Sequence, residues 1–496
     1  MPVVGALCPF GEHGSANAVG YLGGSVKFKV LSHACLLVST ETTSIVIDPW
    51  LLGSCYWRSW WNFPRASYDE DELAKVDAVV ISHVHWDHWH GPTLKRFFAG
   101  KPVIVPDEPG GRSANDLAVC GFDDITRIAH GRKISVGDID LTLYQFGPFL
   151  NDAAIVIEAD GLTLLNANDA KVAGLSLDQI LARHRPIDFA FRSHSSANTR
   201  ICFSTASEPD RATDDRDHYM RSFALFMNRV KPRFAVPFAS NHCHLNDDVF
   251  DLNAYITNPL ELRGWLDARP ARRDWRLQVM MPGSSWSSGA GFDLQPETPF
   301  DDPSATLAQY RANVEPALAR TRAKEEAVRI GRPLLDRMGA MLAYAPLGRR
   351  SSGQIRVVAT WPSGRTQAWD FDEATGHYVE AAGTEVEKGR PVLRFPAAVL
   401  RDAIVRNMFQ HAGISKRCRF VAEDATDMRR LVATVARLER HELGLYPLRL
   451  SYLRRIAKAY VARWRELLVY ASAGFRLKIK RQPIYLVEES ILEGRW

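Results

Sequence analysis

The stretch "VVISHVHWDHWHGPTL", residues 79–94, places four histidines and one aspartate within eight residues directly after a short apolar run. Imidazoles and carboxylates packed this closely each need solvent or a polar partner, so their position beside a buried strand is costly for folding. A metal ion removes the difficulty because it binds neutral imidazole and ionised carboxylate together. The stretch therefore predicts a metal site on a loop between a strand that ends at Ser82 and a helix that begins near Gly91.

Composition limits the kind of protein that surrounds this loop. A chain of 496 residues is too long for one hydrophobic core, so we expect at least two domains. The net charge of +5 is slight for this length and gives no indication of nucleic acid. We expect no membrane span and no signal peptide, hence a cytoplasmic protein, because no apolar run reaches about 18 residues. Seven scattered cysteines without a CxxC pair argue against a thiolate-held centre.

The order of apolar runs predicts a layered α/β domain. Before residue 300, strand-like runs alternate with helix-like segments, and tight turns in "SVGDIDL" (135–141) and "EADGLTL" (158–164) imply hairpins. Helices that alternate with a mixed sheet favour sheets inside and helices outside. The predicted organisation is an N-terminal segment (1–25), a metal-binding catalytic domain (26–300), a helical linker (301–349) and a small α+β domain (350–496).

Other strand ends supply residues that can complete the metal site. His83 and His85 can share one ion, while Asp87 and His88 point to a neighbouring position about 3.5–4 Å away, as in two-metal sites. The strand-like "GLTLLNAND" (161–169) ends in Asp169, whose carboxylate could bridge two ions. The run "RFAVPFASNHCHLND" (233–247) ends in His242 and His244.

The pattern HxHxDH, followed by a strand-end aspartate and a strand-end histidine, resembles the metallo-β-lactamase superfamily. That resemblance implies an αββα sandwich with metals at one sheet edge. Longer segments, including "SHACLLVSTETTSIVIDPWLLGSCYWRSWW" (32–61) and "NDAAIVIEADGLTLLNANDA" (151–170), are similar to the lactamase-fold part of the CMP-N-acetylneuraminate hydroxylase family. A phospholipase D family that cleaves N-acylphosphatidylethanolamine, and has a dinuclear zinc site, is less similar.

The resemblance also implies a ligand set for two metal ions. Carried over onto this sequence, the ligands are His83, His85, Asp87, His88, Asp152, Asp169 and His244. Common hydrolases of this fold place a histidine before the bridging acid, whereas this chain offers Asn151 and Asp152 there. A site with more oxygen and less imidazole suits iron at least as well as zinc.

Two functions fit these ligands. The favoured one is a diiron oxygenase that uses O2 to oxidise a small polar or anionic metabolite, and the alternative is a zinc hydrolase that uses a metal-bound hydroxide. The hydroxylase family carries a Rieske domain, which needs two Cys and two His ligands that Cys8 and His13 cannot supply, so we expect an external electron donor or electrons from the substrate. Asp87, Asp169 and His194 are the catalytic candidates. His194 could be a ligand, a base or a support for the ligands, and the last is the commonest role for a histidine in such a position.

Aromatic residues are dense beside the motif. Six of the thirteen tryptophans lie between residues 50 and 89, and "CYWRSWWNFP" (55–64) lacks a helical or strand period. Core packing explains part of this density, but we also predict a substrate pocket lined by Arg58, Trp60, Trp61, Trp86 and His242. Only three of the fifteen histidines follow residue 300, which places the metal chemistry in the first domain. The C-terminal domain is expected to cover the site or to mediate homo-oligomerisation.

Overall fold

The computed structural model describes residues 25–147, 150–195, 199–207, 215–269, 272–344 and 353–495. Cys8 and His13 lie outside these residues. The strands are β1 Lys27–Val30, β2 Leu36–Ser39, β3 Ser44–Ile47, β4 Ser54–Cys55, β5 Trp60–Asn62, β6 Ala78–Val80, β7 Val103–Pro106, β8 Ile125–Ile128, β9 Lys133–Val136, β10 Ile139–Phe146, β11 Asp152–Ala159, β12 Leu162–Asn168, β13 Phe189–Arg192, β14 Phe203–Thr205, β15 Phe234–Pro237, β16 His242–His244, β17 Arg276–Leu277, β18 Ser285–Ser287, β19 Gly291–Asp293, β20 Gln354–Thr360, β21 Thr366–Asp372, β22 Tyr378–Glu380, β23 Val392–Pro396 and β24 Arg419–Ala422.

Helices follow or separate many of these strands. They are α1 Glu70–Ala74, α2 Gly91–Phe97, α3 Arg112–Val119, α4 Gly174–Arg183, α5 Arg216–Val230, α6 Pro259–Asp267, α7 Pro303–Glu326, α8 Arg332–Ala343, α9 Ala397–Arg406, α10 Phe409–Ile414, α11 Ala425–Glu442, α12 Leu450–Ala462, α13 Trp464–Lys478 and α14 Ile484–Leu492. Short 3-10 helices span Arg200–Cys202, Phe250–Tyr255 and Thr298–Phe300. Within the described part of the chain, no helix combines the length and the apolar character that crossing a bilayer requires.

Two sheets face each other in the first domain. One has the order β19-β18-β1-β2-β3-β6-β7-β8, and the other has the order β17-β15-β13-β12-β11-β10-β9. Successive side chains of a strand point to opposite faces, so each strand serves two layers. In β11, Ile155 and Ile157 pack between the sheets, whereas Val156 packs among residues of α4, α5 and α6.

The other sheet is built in the same way. Ile45 and Ile47 of β3 contact the opposite sheet, and Val46 lies in a separate core with residues of α1, α2 and α3. The predicted αββα sandwich is therefore confirmed by the alternation of buried side chains across both sheets.

The sheet topology brings several strand ends to one edge. Strands β3 and β6 are parallel neighbours in the first sheet, and β1 is antiparallel to β2, which is antiparallel to β3. Strands β12, β13 and β15 are parallel in the second sheet. The segments that follow β1, β3, β6, β12 and β13 therefore emerge at the rim where ligands bind in α/β proteins.

The C-terminal part forms a second layered unit of sheet and helices, and a strand joins it to the first domain. Its sheet has the order β14-β24-β23-β20-β21-β22, so Phe203–Thr205, which precede residue 300, pair with β24. Helices α9, α10 and α11 contribute to the core of this sheet. The two parts thus share a sheet, which fixes their relative placement more firmly than a linker alone.

One helix expected from the sequence is interrupted. The segment 448–471 reads as one basic amphipathic helix, but the structure divides it into α12 and α13 at Arg463. The buried Arg463 guanidinium donates to the carbonyl oxygen of Gln145, 2.8 Å away, and pairs with Glu466. This attachment to the first domain coincides with the break between the two helices.

A second buried arginine holds the domains together and generates a prediction. Arg417 donates two hydrogen bonds to Glu325, of 2.6 and 2.9 Å, and one to the carbonyl oxygen of Trp57. Replacing Arg417 with Met leaves the buried Glu325 carboxylate without its charge partner, and should destabilise the protein by about 3–5 kcal/mol. A thermal unfolding scan measures the loss. Arg221→Met is the control, because its exposed pair with Asp217 should contribute under about 1 kcal/mol; equal midpoints for both variants would contradict the prediction.

Candidate metal centre

The histidine-rich stretch forms the loop between β6 and α2 at the rim of the sandwich. His90 caps the helix, since its Nδ1 accepts a hydrogen bond from the Thr93 backbone N–H. The preceding residues therefore cannot extend the helix, and their side chains turn towards the rim. His83, Asp87 and His88 are all buried there.

A buried aspartate outside the motif fixes the orientation of its histidines. Asp48, which follows β3, accepts hydrogen bonds from the Ser82 backbone N–H (2.7 Å), from Ser82 Oγ (2.7 Å) and from His88 Nδ1 (2.8 Å). Ser82 Oγ in turn lies 2.9 Å from His83 Nδ1. With Nδ1 engaged in this way, both imidazoles direct Nε2 towards the rim.

Metal-capable side chains form two groups at this point. His83, His85 and Asp169 make one group, and His33, Asp87 and His88 make the other, with ligand atoms in each group mutually within 4.8 Å. Each group contains two histidines and one aspartate. His33 Nε2 lies 3.1 Å from Asp87 Oδ2, and the hydroxyl of Tyr56 donates to Asp87 Oδ1 over 2.5 Å.

Asp169, a member of the first group, also lies close to His88 of the second. Its Oδ1 is 3.6 Å from His83 Nε2 and 3.3 Å from His88 Nε2. Neither Asp169 Oδ1 nor His88 Nε2 makes a hydrogen bond within the described residues, although both atoms are buried. Buried polar atoms left in this state are costly, and a cation between them would satisfy both. The residues present therefore fit a pair of metal ions.

Electrostatics keep the carboxylates ready for a cation. Burial raises the pKa of Asp169, but His88 and His83 outweigh it and hold this pKa well below its ordinary value. Burial likewise opposes ionisation of Asp87, whose pKa is nevertheless lowered by His88 and His33. Burial and then His83 lower the pKa of His85, which favours the neutral imidazole that metals bind.

Two residues of the predicted ligand set lie outside the two groups. Asp152, at the start of β11, interacts electrostatically with His83 and Asp169: burial raises its pKa, His83 lowers it and Asp169 raises it. His244 is buried in β16 with its Nδ1 3.2 Å from the hydroxyl of Ser59. Burial and then Lys416 lower the pKa of His244 to about 3, and its Nε2 has no hydrogen-bond partner within the described residues.

The other histidines of the prediction are also buried near the rim. His242 stacks on Trp60, with ring centroids 3.6 Å apart and planes 3° apart, and lies 5.6 Å from the ring of His33. His194 is fully buried after β13, and its backbone N–H donates to Ser240 Oγ. Within the described residues, both ring nitrogens of His194 and of His242 lack hydrogen bonds.

The aromatic segment is more deeply packed than its irregular pattern indicated. Trp60 and Trp61 are buried, and Trp60 Nε1 donates to the carbonyl oxygen of Ile414 in the C-terminal part. Trp86 is half-buried and stacks on Tyr56 at 5.7 Å. Arg58, also half-buried, lies 3.5 Å from Ser54 Oγ. The structure therefore brings Trp86 to the rim, while Trp60 and Trp61 pack against their neighbours.

Sequence reasoning missed His33, Asp48 and Tyr56. A signal was present for two of them, because His33 follows β1 and Asp48 follows β3, and the rule that identified Asp169 applies to any polar residue at a strand end. Tyr56 has a positive φ of 51° in an irregular turn. Its hydrogen bond to Asp87 depends on that turn, which periodicity does not predict.

Comparison with known proteins agrees with this geometry. Residues 27–199 match the family model described as "Beta-lactamase superfamily domain". A Mycolicibacterium smegmatis protein, provisionally named a Rieske 2Fe-2S iron-sulfur protein, is 26% identical over 414 residues, covering 77% of this chain and 74% of its own. The cytidine monophosphate-N-acetylneuraminic acid hydroxylase of Xenopus laevis is 38% identical over 88 residues, covering 18% of this chain and 15% of its own.

Solved structures with similarity to the chain include proteins of two activities. A metallo hydrolase from Ignicoccus hospitalis has a TM-score of 0.36 at 17% identity, covering 53% of this chain and 98% of its own. The diiron β-hydroxylase CmlA from Streptomyces venezuelae has a TM-score of 0.34 at 15% identity, covering 53% of each chain.

The buried His194 generates a prediction about pH. Burial and then the neighbouring His33 lower its pKa from 6.5 to about 3. At pH values between these two pKa values, the unfolded chain carries a proton on this residue and the folded chain does not. The free energy of unfolding therefore falls as the pH falls through that range. In urea unfolding of the metal-free protein, His194→Gln should remove about 2 kcal/mol of the stability lost between pH 7.5 and 5.0. Exposed His377→Gln is the control; identical losses in wild type and His194→Gln would show that the residue stays solvated.

Proposed function

We propose that this protein is a dinuclear non-haem iron oxygenase that hydroxylates or otherwise oxidises a small polar or anionic metabolite. The observation that carries the proposal is the placement of Asp169 Oδ1 within 3.6 Å of His83 Nε2 and 3.3 Å of His88 Nε2, between two groups of ligands. Each group has the two-histidine, one-carboxylate composition that non-haem iron oxygenases use.

Oxygen donors beyond the two groups support iron further. Asp152 lies close enough to His83 and Asp169 to influence, and be influenced by, their charges. With Asp152, the rim offers three carboxylates. The common hydrolases have an imidazole at the position of Asp152, and a carboxylate is a harder ligand than an imidazole. Similarity to the Xenopus hydroxylase over 88 residues supports the same reaction class.

When bound, the two irons supply the reduction of O2 that substrate oxidation requires. The remaining work belongs to residues of this chain. Asp48 and Ser82 hold the imidazoles of His83 and His88 in one tautomer, and Tyr56 orients Asp87 through its short hydrogen bond. Buried aromatic side chains around the loop exclude water from the ligands, which strengthens every electrostatic interaction there. The reducing equivalents come from a separate electron-carrying partner.

A zinc-dependent hydrolase is the second candidate. Zinc also accepts two histidines and a carboxylate, so the composition of each group favours it as well. The two functions differ in metal and in O2 use. Anaerobic purification followed by metal analysis, Mössbauer spectroscopy and O2 consumption separates them: two coupled high-spin irons that react with O2 support the oxygenase, while two zinc ions without O2 uptake contradict it.

Replacing Asp169 tests the dinuclear site itself. Asp169→Asn keeps the shape of the side chain but removes the negative charge that both groups share, so we expect the purified protein to hold one metal ion or none. Elemental analysis per chain measures this outcome. Asp160→Asn, at an exposed turn with positive φ that asparagine tolerates, is the matched control and should keep both ions. Full metal occupancy in Asp169→Asn would show that this carboxylate does not bridge.

A further inference from the structure

A histidine from the C-terminal part lies beside the metal centre. His411, on α10, is fully buried, and its ring lies 5.6 Å from the ring of His85, 5.1 Å from Trp86 and 5.7 Å from Tyr56. Tyr56 donates to Asp87, so all three neighbours belong to the rim already described. This proximity was not expected, since the histidine count placed the chemistry in the first domain alone.

The Nδ1 edge of His411 is held by a carboxylate. Nδ1 hydrogen bonds to Glu442, at the end of α11, which is itself buried. Glu442 also accepts from the backbone N–H groups of Gln410 and His411, and lies 3.3 Å from the guanidinium of Arg112. A carboxylate with these partners is fixed in place, and it selects the imidazole tautomer in which Nδ1 carries the proton.

The opposite nitrogen has no partner. Within the described residues, His411 Nε2 is buried and makes no hydrogen bond. The same arrangement, with Nδ1 engaged and Nε2 unpartnered, occurs at His88, one of the metal-capable residues. A buried imidazole nitrogen left unpaired is costly, which indicates that a group absent from the protein chain itself satisfies it. His411 is not a member of either metal-capable group, so a ligand other than the ions fits best.

The position of His411 is set by contacts next to it in sequence. Ser59 Oγ donates to the carbonyl oxygen of Ser415 over 2.5 Å, and Trp60 Nε1 donates to that of Ile414 over 3.0 Å. These bonds tie the end of α10 to the aromatic segment of the first domain. The imidazole is thereby held at a defined distance from His85, as a group that orients a bound molecule must be.

We propose that the C-terminal part supplies His411 as a substrate-contacting residue of the metal centre. Its Nε2 accepts a hydrogen bond from a hydroxyl or N–H group of a polar molecule bound beside His85, and Glu442 is the positioning residue that holds the proton of the neutral imidazole on Nδ1. The inference rests on the proposed function, since it requires metal ions at the neighbouring groups. A substrate that binds tightly should therefore carry a hydrogen-bond donor close to the end that binds the metals.

A pair of metal-chelating probes tests this on the full-length protein loaded with two Co²⁺ ions. Acetohydroxamate and N-methylacetohydroxamate share the same chelating oxygens, but only the first has an N–H donor. His411→Asn retains an amide that can donate to Glu442 while it removes Nε2. We expect this variant to keep both Co²⁺ ions and to bind acetohydroxamate about tenfold more weakly, with N-methylacetohydroxamate binding unchanged. Absorption titration of the Co²⁺ bands gives both affinities.

Two further variants complete the test. His377→Asn, at an exposed histidine of the same part of the chain, should match wild type. His411→Gln places an acceptor near the position of Nε2, so it should recover most of the acetohydroxamate affinity. If His411→Asn does not fold, His411→Gln becomes the deciding variant, and a tenfold loss of affinity in it would overturn the proposal.

Other outcomes identify which idea has failed. Unchanged acetohydroxamate affinity in His411→Asn, or equal weakening of both probes, contradicts the role of Nε2 as an acceptor. Loss of one Co²⁺ from this variant also contradicts it, because His411 would then be a metal ligand. A wild-type protein that cannot hold a pair of metal ions contradicts the proposed function instead.

Discussion

The metal centre depends on the three hydrogen bonds that the buried Asp48 carboxylate accepts from Ser82 and His88. They join the end of β3 to the loop after β6, and they fix the loop before any metal is present. A buried carboxylate is stable only when its lone pairs are satisfied, so a movement of the loop that broke these bonds would be costly. The tautomers of His83 and His88 follow from it.

Histidines are abundant at the rim, and most of them are buried in surroundings that disfavour their charged form. Burial lowers the pKa of His85, His194, His242 and His244, whereas the carboxylates raise the pKa of His88 despite burial. Neutral imidazoles and ionised carboxylates are the forms that bind metals. Burial therefore keeps His85 and His244 in the neutral form, whereas His88 would have to release a proton when a cation binds.

The C-terminal part contributes more than a cover. Its β24 pairs in parallel with the strand Phe203–Thr205, and its α10 packs against the aromatic segment beside the motif. Trp60, predicted to line a substrate pocket, takes part in this packing, whereas Trp61 is buried among residues of the first domain and α7. The rim is consequently bounded by both parts of the chain.

The sequence alone determined the sandwich and the core of the site. Continuous apolar runs in β3 and β11 supply buried residues to both faces of each strand, and the spacing of His83, His85, Asp87 and His88 places their side chains on one loop. Only the tertiary structure decided that His33, Asp48 and His411 reach the same rim. Their approach depends on strand order and on docking between distant segments. His411 and His85 are more than 300 residues apart in sequence, yet their ring centroids lie 5.6 Å apart. Local periodicity carries no information about such pairs, because it is the packing of whole sheets and helices that sets the distance between them.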